Sequence, residues 1–135
     1  MCGIFLVISI KDKINFDKFN MARDSLIHRG PDAFGTTPLL DGKVALGHRR
    51  LSIMELSEAG GQPMKLGNLH VSFNGEIYNY PELKKILEDK GCVFRTHCDT
   101  EVLLHGYKVW GENLCDHLSG MFAFAIWDNE RREMF

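Results

Sequence analysis

From Ile4 to Ile10 the chain is a run of β-branched and large apolar side chains interrupted only at Ser9. Such a run predicts a strand buried on both faces, anchored close to the N-terminus. The period changes between Asn15 and Ile27, where Phe16, Phe19, Ala22 and Leu26 fall three or four residues apart. That spacing predicts an amphipathic helix lying on a sheet. His28-Arg29-Gly30-Pro31-Asp32 then ends it, because glycine and proline break a helical pattern.

Asp41-Gly42 separates the apolar segments around Leu39-Leu40 and Val44-Ala45-Leu46 in the manner of a hairpin turn, and a second sheet is expected to begin here. Glu58 to Pro63 is too rich in glycine for an element interior and reads as a loop able to cover a site; Leu69 to Phe73 follows as a strand. Pro81 before Glu82–Lys90, with Gly91 beyond, frames a helix. Asp99 to Trp110 predicts another, with Asp99 as N-cap, and Asn79 is expected to cap the helix before it. Met121–Trp127 and Arg132–Phe135 read as a hairpin. Phe122, Phe124 and Ile126 alternate there with Met121, Ala123 and Ala125, as expected of a fully buried strand. The order strand, helix, strands, helices, strands predicts a mixed α and β layered fold and argues against a repeating βαβ unit.

Composition narrows the partner. The 135 residues fit one domain, and 44% hydrophobic with 25% charged residues describes an ordinary globular chain. Sixteen basic against eighteen acidic residues leave a net charge of -2, so neither nucleic acid nor an anionic membrane is expected as partner. No apolar run is long enough to span a bilayer, and no basic segment precedes the first strand as in a secretory signal. A cytoplasmic location follows as the expectation, with Cys2, Cys92, Cys98 and Cys115 as free thiols. Cys92, His97, Cys98, Cys115 and His117 match no zinc spacing, and no phosphate loop or dinucleotide fingerprint occurs, so no metal or cofactor is expected in this domain.

Cys2-Gly3 carries the most informative chemistry. Removal of Met1 leaves a thiol and a free α-amino group on one residue. An α-amino group titrates near about 8 and a thiol near about 8.5, so the amine can take the thiol proton without a histidine. Gly3 would let a substrate approach the sulfur, and the following strand would hold it still. The plainer reading of Cys2 is a small hydrophobe near a terminus.

Six further segments decide between these readings. His28-Arg29-Gly30-Pro31-Asp32, Arg50-Leu51-Ser52-Ile53, Gln62-Pro63-Met64, Asn74-Gly75-Glu76-Ile77-Tyr78-Asn79, Asp99-Thr100-Glu101-Val102 and Gly120-Met121-Phe122-Ala123-Phe124-Ala125, in this order after Met-Cys-Gly, resemble the class II glutamine amidotransferases. The first and fourth resemble the asparagine synthetase branch more than the glucosamine-phosphate synthases or purine amidotransferases. The resemblance spans nearly the whole chain. It implies an α+β fold of the N-terminal-nucleophile hydrolase type, a four-layer α/β/β/α sandwich with two antiparallel sheets between helices.

The implied reaction can be tested on the residue types. Thiolate attack on the glutamine amide carbon creates a negative oxygen that needs two donors, and Asn74 (side-chain NH2) and Gly75 (backbone N–H) suit it. Without the resemblance, Asn-Gly reads as a turn. Free glutamine also needs partners for its α-carboxylate and α-ammonium. A guanidinium grips a carboxylate with two parallel bonds. Arg49 and Arg50 point to opposite sides of a strand, and the register with Leu51-Ser52-Ile53 selects Arg50. Asp99 is the implied partner of the ammonium, with Glu76 beside it, and Leu51 and Ile53 complete the implied substrate-binding set. Family members commonly carry serine where this chain has Cys98, which brings a second thiol towards the pocket.

The resemblance further implies glutamine as substrate and ammonia passed to a C-terminal, ATP- and Mg-dependent synthetase domain. Phe135 precedes any pyrophosphate-binding loop, so residues 1–135 are expected to be the glutaminase unit without that domain. Other readings stay open: an amidotransferase acting on a sugar or peptide acceptor, a non-catalytic ligand-binding domain of the same fold, and assembly as a homodimer.

Overall fold

The computed structural model describes residues 2–52 and 60–135. Along the chain run β1 (Gly3–Ile8), α1 (Phe16–Asp24), β2 (Ala33–Leu39), β3 (Val44–Arg50), β4 (Met64–Leu66), β5 (Leu69–Ile77), α2 (Tyr80–Asp89), α3 (Thr100–Trp110), α4 (Leu114–His117), β6 (Gly120–Asp128) and β7 (Glu133–Met134). Two antiparallel sheets result, ordered β1-β3-β2 and β4-β5-β6-β7.

Alternation along the strands explains the layers. Leu39, Val44 and Leu46 of the first sheet meet Ala125 and Trp127 of the second, closing a core between the sheets. The outer face of the first sheet carries Phe5, whose ring lies 4.9 Å from Phe19 of α1. Gly47 lets α1 approach, since a Cβ there would come within 3.1 Å of the Phe19 ring. The outer face of the second sheet packs Val71, Phe73 and Ile126 on Leu83 and Leu87 of α2 and on Val102 and Leu103 of α3. The expected four-layer α/β/β/α sandwich is therefore the observed architecture. No helix among the described residues is long and apolar enough to cross a membrane.

Four expectations are corrected. The hairpin around Asp41-Gly42 does not open the second sheet: β3 pairs with β1 on its other side, Gly3 opposite Arg49, and becomes the fully buried centre of the first. The second sheet begins at Met64. β1 is an edge strand in which only Gly3 is buried, with Leu6 38% and Ile8 50% exposed. Likewise β6 is buried only from Ala125 onward, and Met121 is 71% exposed. An apolar run reports hydrophobicity without saying whether another layer covers it. α1 also stops earlier than expected, at Asp24, and Leu26 to Gly30 continue in tight turns.

His48 joins the two sheets. It is fully buried, and its Nε2 donates to the Phe73 carbonyl 3.0 Å away, which fixes the neutral tautomer because a carbonyl can only accept. Burial pushes its pKa down to about 4; the Phe73 bond opposes this and the Arg50 charge reinforces it. Between the ordinary value of 6.5 and about 4 the unfolded chain binds the extra proton. Stability is thus full above pH 6.5 and is lost as pH falls towards about 4. In denaturant titrations at about pH 7 and about pH 4.5, the wild-type chain should lose on the order of 2 kcal/mol more than His48→Gln, which keeps a donor for Phe73. Equal losses in the two proteins would exclude His48 as the source.

Candidate active site

Cys2 immediately precedes β1, and its position is set by the turn before β2. Arg29 Nε donates to the Cys2 carbonyl at 3.0 Å. Gly30 lies so close to β3 that a Cβ would meet the Arg49 carbonyl at 2.3 Å, and the Gly30 carbonyl accepts from Arg49 Nε at 3.0 Å. Asp32 clasps the end of β3 from both sides, its N–H donating to the Arg50 carbonyl at 3.0 Å and its Oδ2 accepting the Ser52 N–H at 2.8 Å. The Cys2 thiol is thereby laid on Leu51, whose N–H donates to Sγ at 3.3 Å. Gly3 serves packing and not substrate approach. A Cβ there would sit 2.9 Å from Leu26 Cβ, on the α1 side of the sheet.

β3 separates its two arginines as strand geometry requires. Arg49 turns to the helix side, where NH1 lies 3.2 Å from Asp24 and the guanidinium 5.4 Å from the Phe34 ring centroid. Arg50 turns to the opposite side and lines a cavity of about 350 Å³. Cys2, Leu51, Asn74, Gly75, Glu76 and Asp99 line the same cavity. Of the eight positions singled out in the sequence, seven therefore converge on one space; the remaining one, Ile53, lies outside the described residues, as does Met1.

Asn74-Gly75 is strand and not turn. β5 runs through it to Ile77, with Asn74 opposite Ala123 and Gly75 opposite Phe122. Gly75 adopts φ 146°, and a Cβ would fall 2.2 Å from the Met121 carbonyl oxygen, so only glycine fits. The Asn74 Oδ1 is buried without a partner, and Asn74 lines the cavity.

Asp99 occupies the N-cap position of α3 but makes no cap bond; its Oδ2 instead accepts the Ile77 N–H at 3.0 Å, joining α3 to the end of β5. Burial pushes the Asp99 carboxyl up, the Ile77 N–H opposes this, and the Glu76 charge adds to the upward push. A cation placed here relieves both causes. Asn79 likewise makes no cap bond for α2: its Nδ2 donates to the His117 carbonyl and its Oδ1 accepts the Ser119 N–H, each at 2.9 Å. Cys98 is buried and lines the cavity.

Sequence reasoning missed the supports. Arg29 and Asp32 stood within a motif, yet their targets on Cys2 and Ser52 lie across the fold. Glu101 likewise stands within a motif whose contacts the sequence does not give. Its buried carboxylate accepts the N–H groups of Arg95 at 2.9 Å and Thr96 at 2.8 Å and the Thr96 hydroxyl at 2.7 Å, tying the loop before Asp99 to α3. These bonds and the His105 charge hold the Glu101 carboxyl below its ordinary value although burial acts the other way.

The chain is similar to known proteins along its whole length. A family model described as glutamine amidotransferase domain matches residues 1–135. The chain is 40% identical to asparagine synthetase [glutamine-hydrolyzing] 3 of Bacillus subtilis over 100% of its own length and 22% of that protein. It is 46% identical to asparagine synthetase [glutamine-hydrolyzing] 1 of the same organism over 82% of its own length and 17% of that protein. The chain thus spans about a fifth of the length of these relatives. The solved glutamine phosphoribosylpyrophosphate amidotransferase of Bacillus subtilis shares the fold, with a TM-score of 0.78 at 24% identity, covering 96% of this chain and 35% of that one.

Gly75→Ala tests the crowding between β5 and β6. It should lower stability by about 2 kcal/mol or more, a fall of roughly 6 °C in thermal midpoint. Gly91→Ala, with φ 87° but nothing within 4 Å of the added Cβ, should cost about half as much. Equal losses would mean that contact with Met121 is not what demands glycine.

Proposed function

Because the chain belongs to the glutamine amidotransferase domain family, we propose that it hydrolyses the side-chain amide of glutamine to glutamate and ammonia through a thioester on Cys2. One observation carries the reading: the Cys2 thiol, Asn74 and Gly75, the Arg50 guanidinium and the buried Asp99 carboxylate line one cavity. Arg50 takes the α-carboxylate of glutamine, and Asp99 with Glu76 takes the α-ammonium. Leu51 and Ile53 flank the substrate. The α-amino group of Cys2 accepts the thiol proton as sulfur attacks the amide carbon. The oxygen then becomes negative, and the Asn74 NH2 and Gly75 N–H stabilise it. The same amino group returns its proton to the departing nitrogen, ammonia leaves, and water cleaves the glutamyl thioester.

The relatives' names extend the proposal. Residues 1–135 act as the glutaminase domain of an asparagine synthetase-like cytoplasmic protein, and the ammonia passes to a synthetase domain that uses ATP and Mg. This domain itself needs no cofactor. A sugar or peptide acceptor would leave every residue of the glutamine site with the same task.

Two experiments test the proposal. Protein shown by mass spectrometry to begin at Cys2 should release ammonia from glutamine, whereas protein that retains Met1 should not, because its α-amino group is absent from the site; equal activity in both forms would refute the amine as base. Arg50→Ala and Asp99→Ala remove partners of charges that glutamine carries throughout the reaction, so they should mainly raise KM. Asn74→Ala should instead lower kcat by roughly 100-fold with a smaller change in KM, since its amide meets full charge only near the transition state. Unchanged thermal midpoints qualify each variant for comparison. A rise in KM alone for Asn74→Ala, or a fall in kcat alone for Arg50→Ala, contradicts the assigned roles.

A further inference from the structure

We propose that Gln62 is a positioning residue for the glutaminase reaction, its side-chain amide bracing the oxyanion donors against the ammonium anchor; this rests on the glutaminase reading above. The register of β4 with β5 runs Leu66 opposite Leu69 and Met64 opposite Val71, so the next facing pair along the ladder is Gln62 and Phe73. β4 ends before that pair is reached. In place of a backbone carbonyl, the Gln62 side-chain Oε1 accepts the Phe73 N–H at 2.7 Å. The other end of the same amide, Nε2, donates to Thr100 Oγ1 at 3.4 Å.

These two partners give the amide its leverage. Phe73 immediately precedes Asn74, and Thr100 immediately follows Asp99. Gln62 is itself held from behind, where its main-chain carbonyl fits against Gly35 so closely that a Cβ there would lie 2.1 Å from the oxygen. A carboxamide suits this bridge, its oxygen accepting from an amide N–H while its nitrogen donates to a hydroxyl, and asparagine is one methylene shorter. The bond to Phe73 is short and the bond to Thr100 long, so loss of the amide should fall more heavily on Asn74 than on Asp99.

The test uses chains shown to begin at Cys2, with ammonia release measured against glutamine concentration and hydrogen exchange followed at the Phe73 amide. Gln62→Met should speed exchange at Phe73 and lower kcat about tenfold or more, because small displacements of a reacting geometry are costly. Thr100→Val keeps the Phe73 bond and should raise KM about threefold while kcat stays within about twofold. In the double variant the KM effect should not exceed that of the worse single variant, since both changes cut one bridge. A merely structural role would lower the thermal midpoint and leave kcat and KM within about twofold, which would overturn the proposal, as would parental exchange at Phe73 in Gln62→Met. Should Gln62→Met fail to fold, an unchanged KM in Thr100→Val overturns the bridge. A parent chain that releases no ammonia overturns the glutaminase reading instead, and this is recognisable because Phe73 exchange still separates parent from Gln62→Met.

Discussion

The site depends on the clasp that residues 29–32 form over the start of β1 and the end of β3. A chain terminus ordinarily frays, and a nucleophile on the second residue is useful only if something overcomes that tendency. Here the Arg29 side chain holds the Cys2 carbonyl while Asp32 holds the Arg50 carbonyl and the Ser52 N–H. Each bond is of ordinary strength, on the order of 1 kcal/mol net. Their effect comes from where they act. β1 and β3 already pair from Gly3 to Ile8, so fixing the two strand ends fixes the sulfur against Leu51.

The same clasp determines which charge enters the cavity. Because Gly30 holds Arg49 on the α1 side, alternation turns Arg50 inward. Lining the same cavity, Asp99 is pushed up first by its burial and further by the Glu76 charge. A cavity lined by a guanidinium and two carboxylates carries both signs of charge that a zwitterion needs. His48, next to Arg50 and neutral because it is buried, adds no second positive charge at that wall.

Local features of this fold were legible in the sequence, and remote ones were not. α1 and α2 follow from apolar spacing, Pro81 and Gly91, all of which act within a turn or two of chain, whereas α4 carries no such signal. Arg50 was separable from Arg49 because strand alternation is strict. The assignment of β2 and β3 to the first sheet was not legible, since a tight turn says that two strands pair but not what lies on the far side of the second. The same limit hid the exposed face of β1. Asp99 and Asn79 were read as caps because capping is the local use of such residues, whereas both bond across the fold, to Ile77 and to the 117–119 segment. The motifs marked Arg29, Asp32 and Gln62, yet what each one holds emerges only from tertiary contacts.

The fold and its clasp thus bring the Cys2 thiol, Arg50 and Asp99 to one cavity, where the covalent bond is proposed to form on Cys2. The most direct measurement is acid quenching during turnover of glutamine, followed by mass spectrometry and peptide mapping. The account predicts a glutamyl adduct on the peptide that begins with Cys2, lost on treatment with hydroxylamine as a thioester must be. Turnover with the adduct on Cys98, the other thiol lining the cavity, or turnover undiminished in Cys2→Ala, would contradict it.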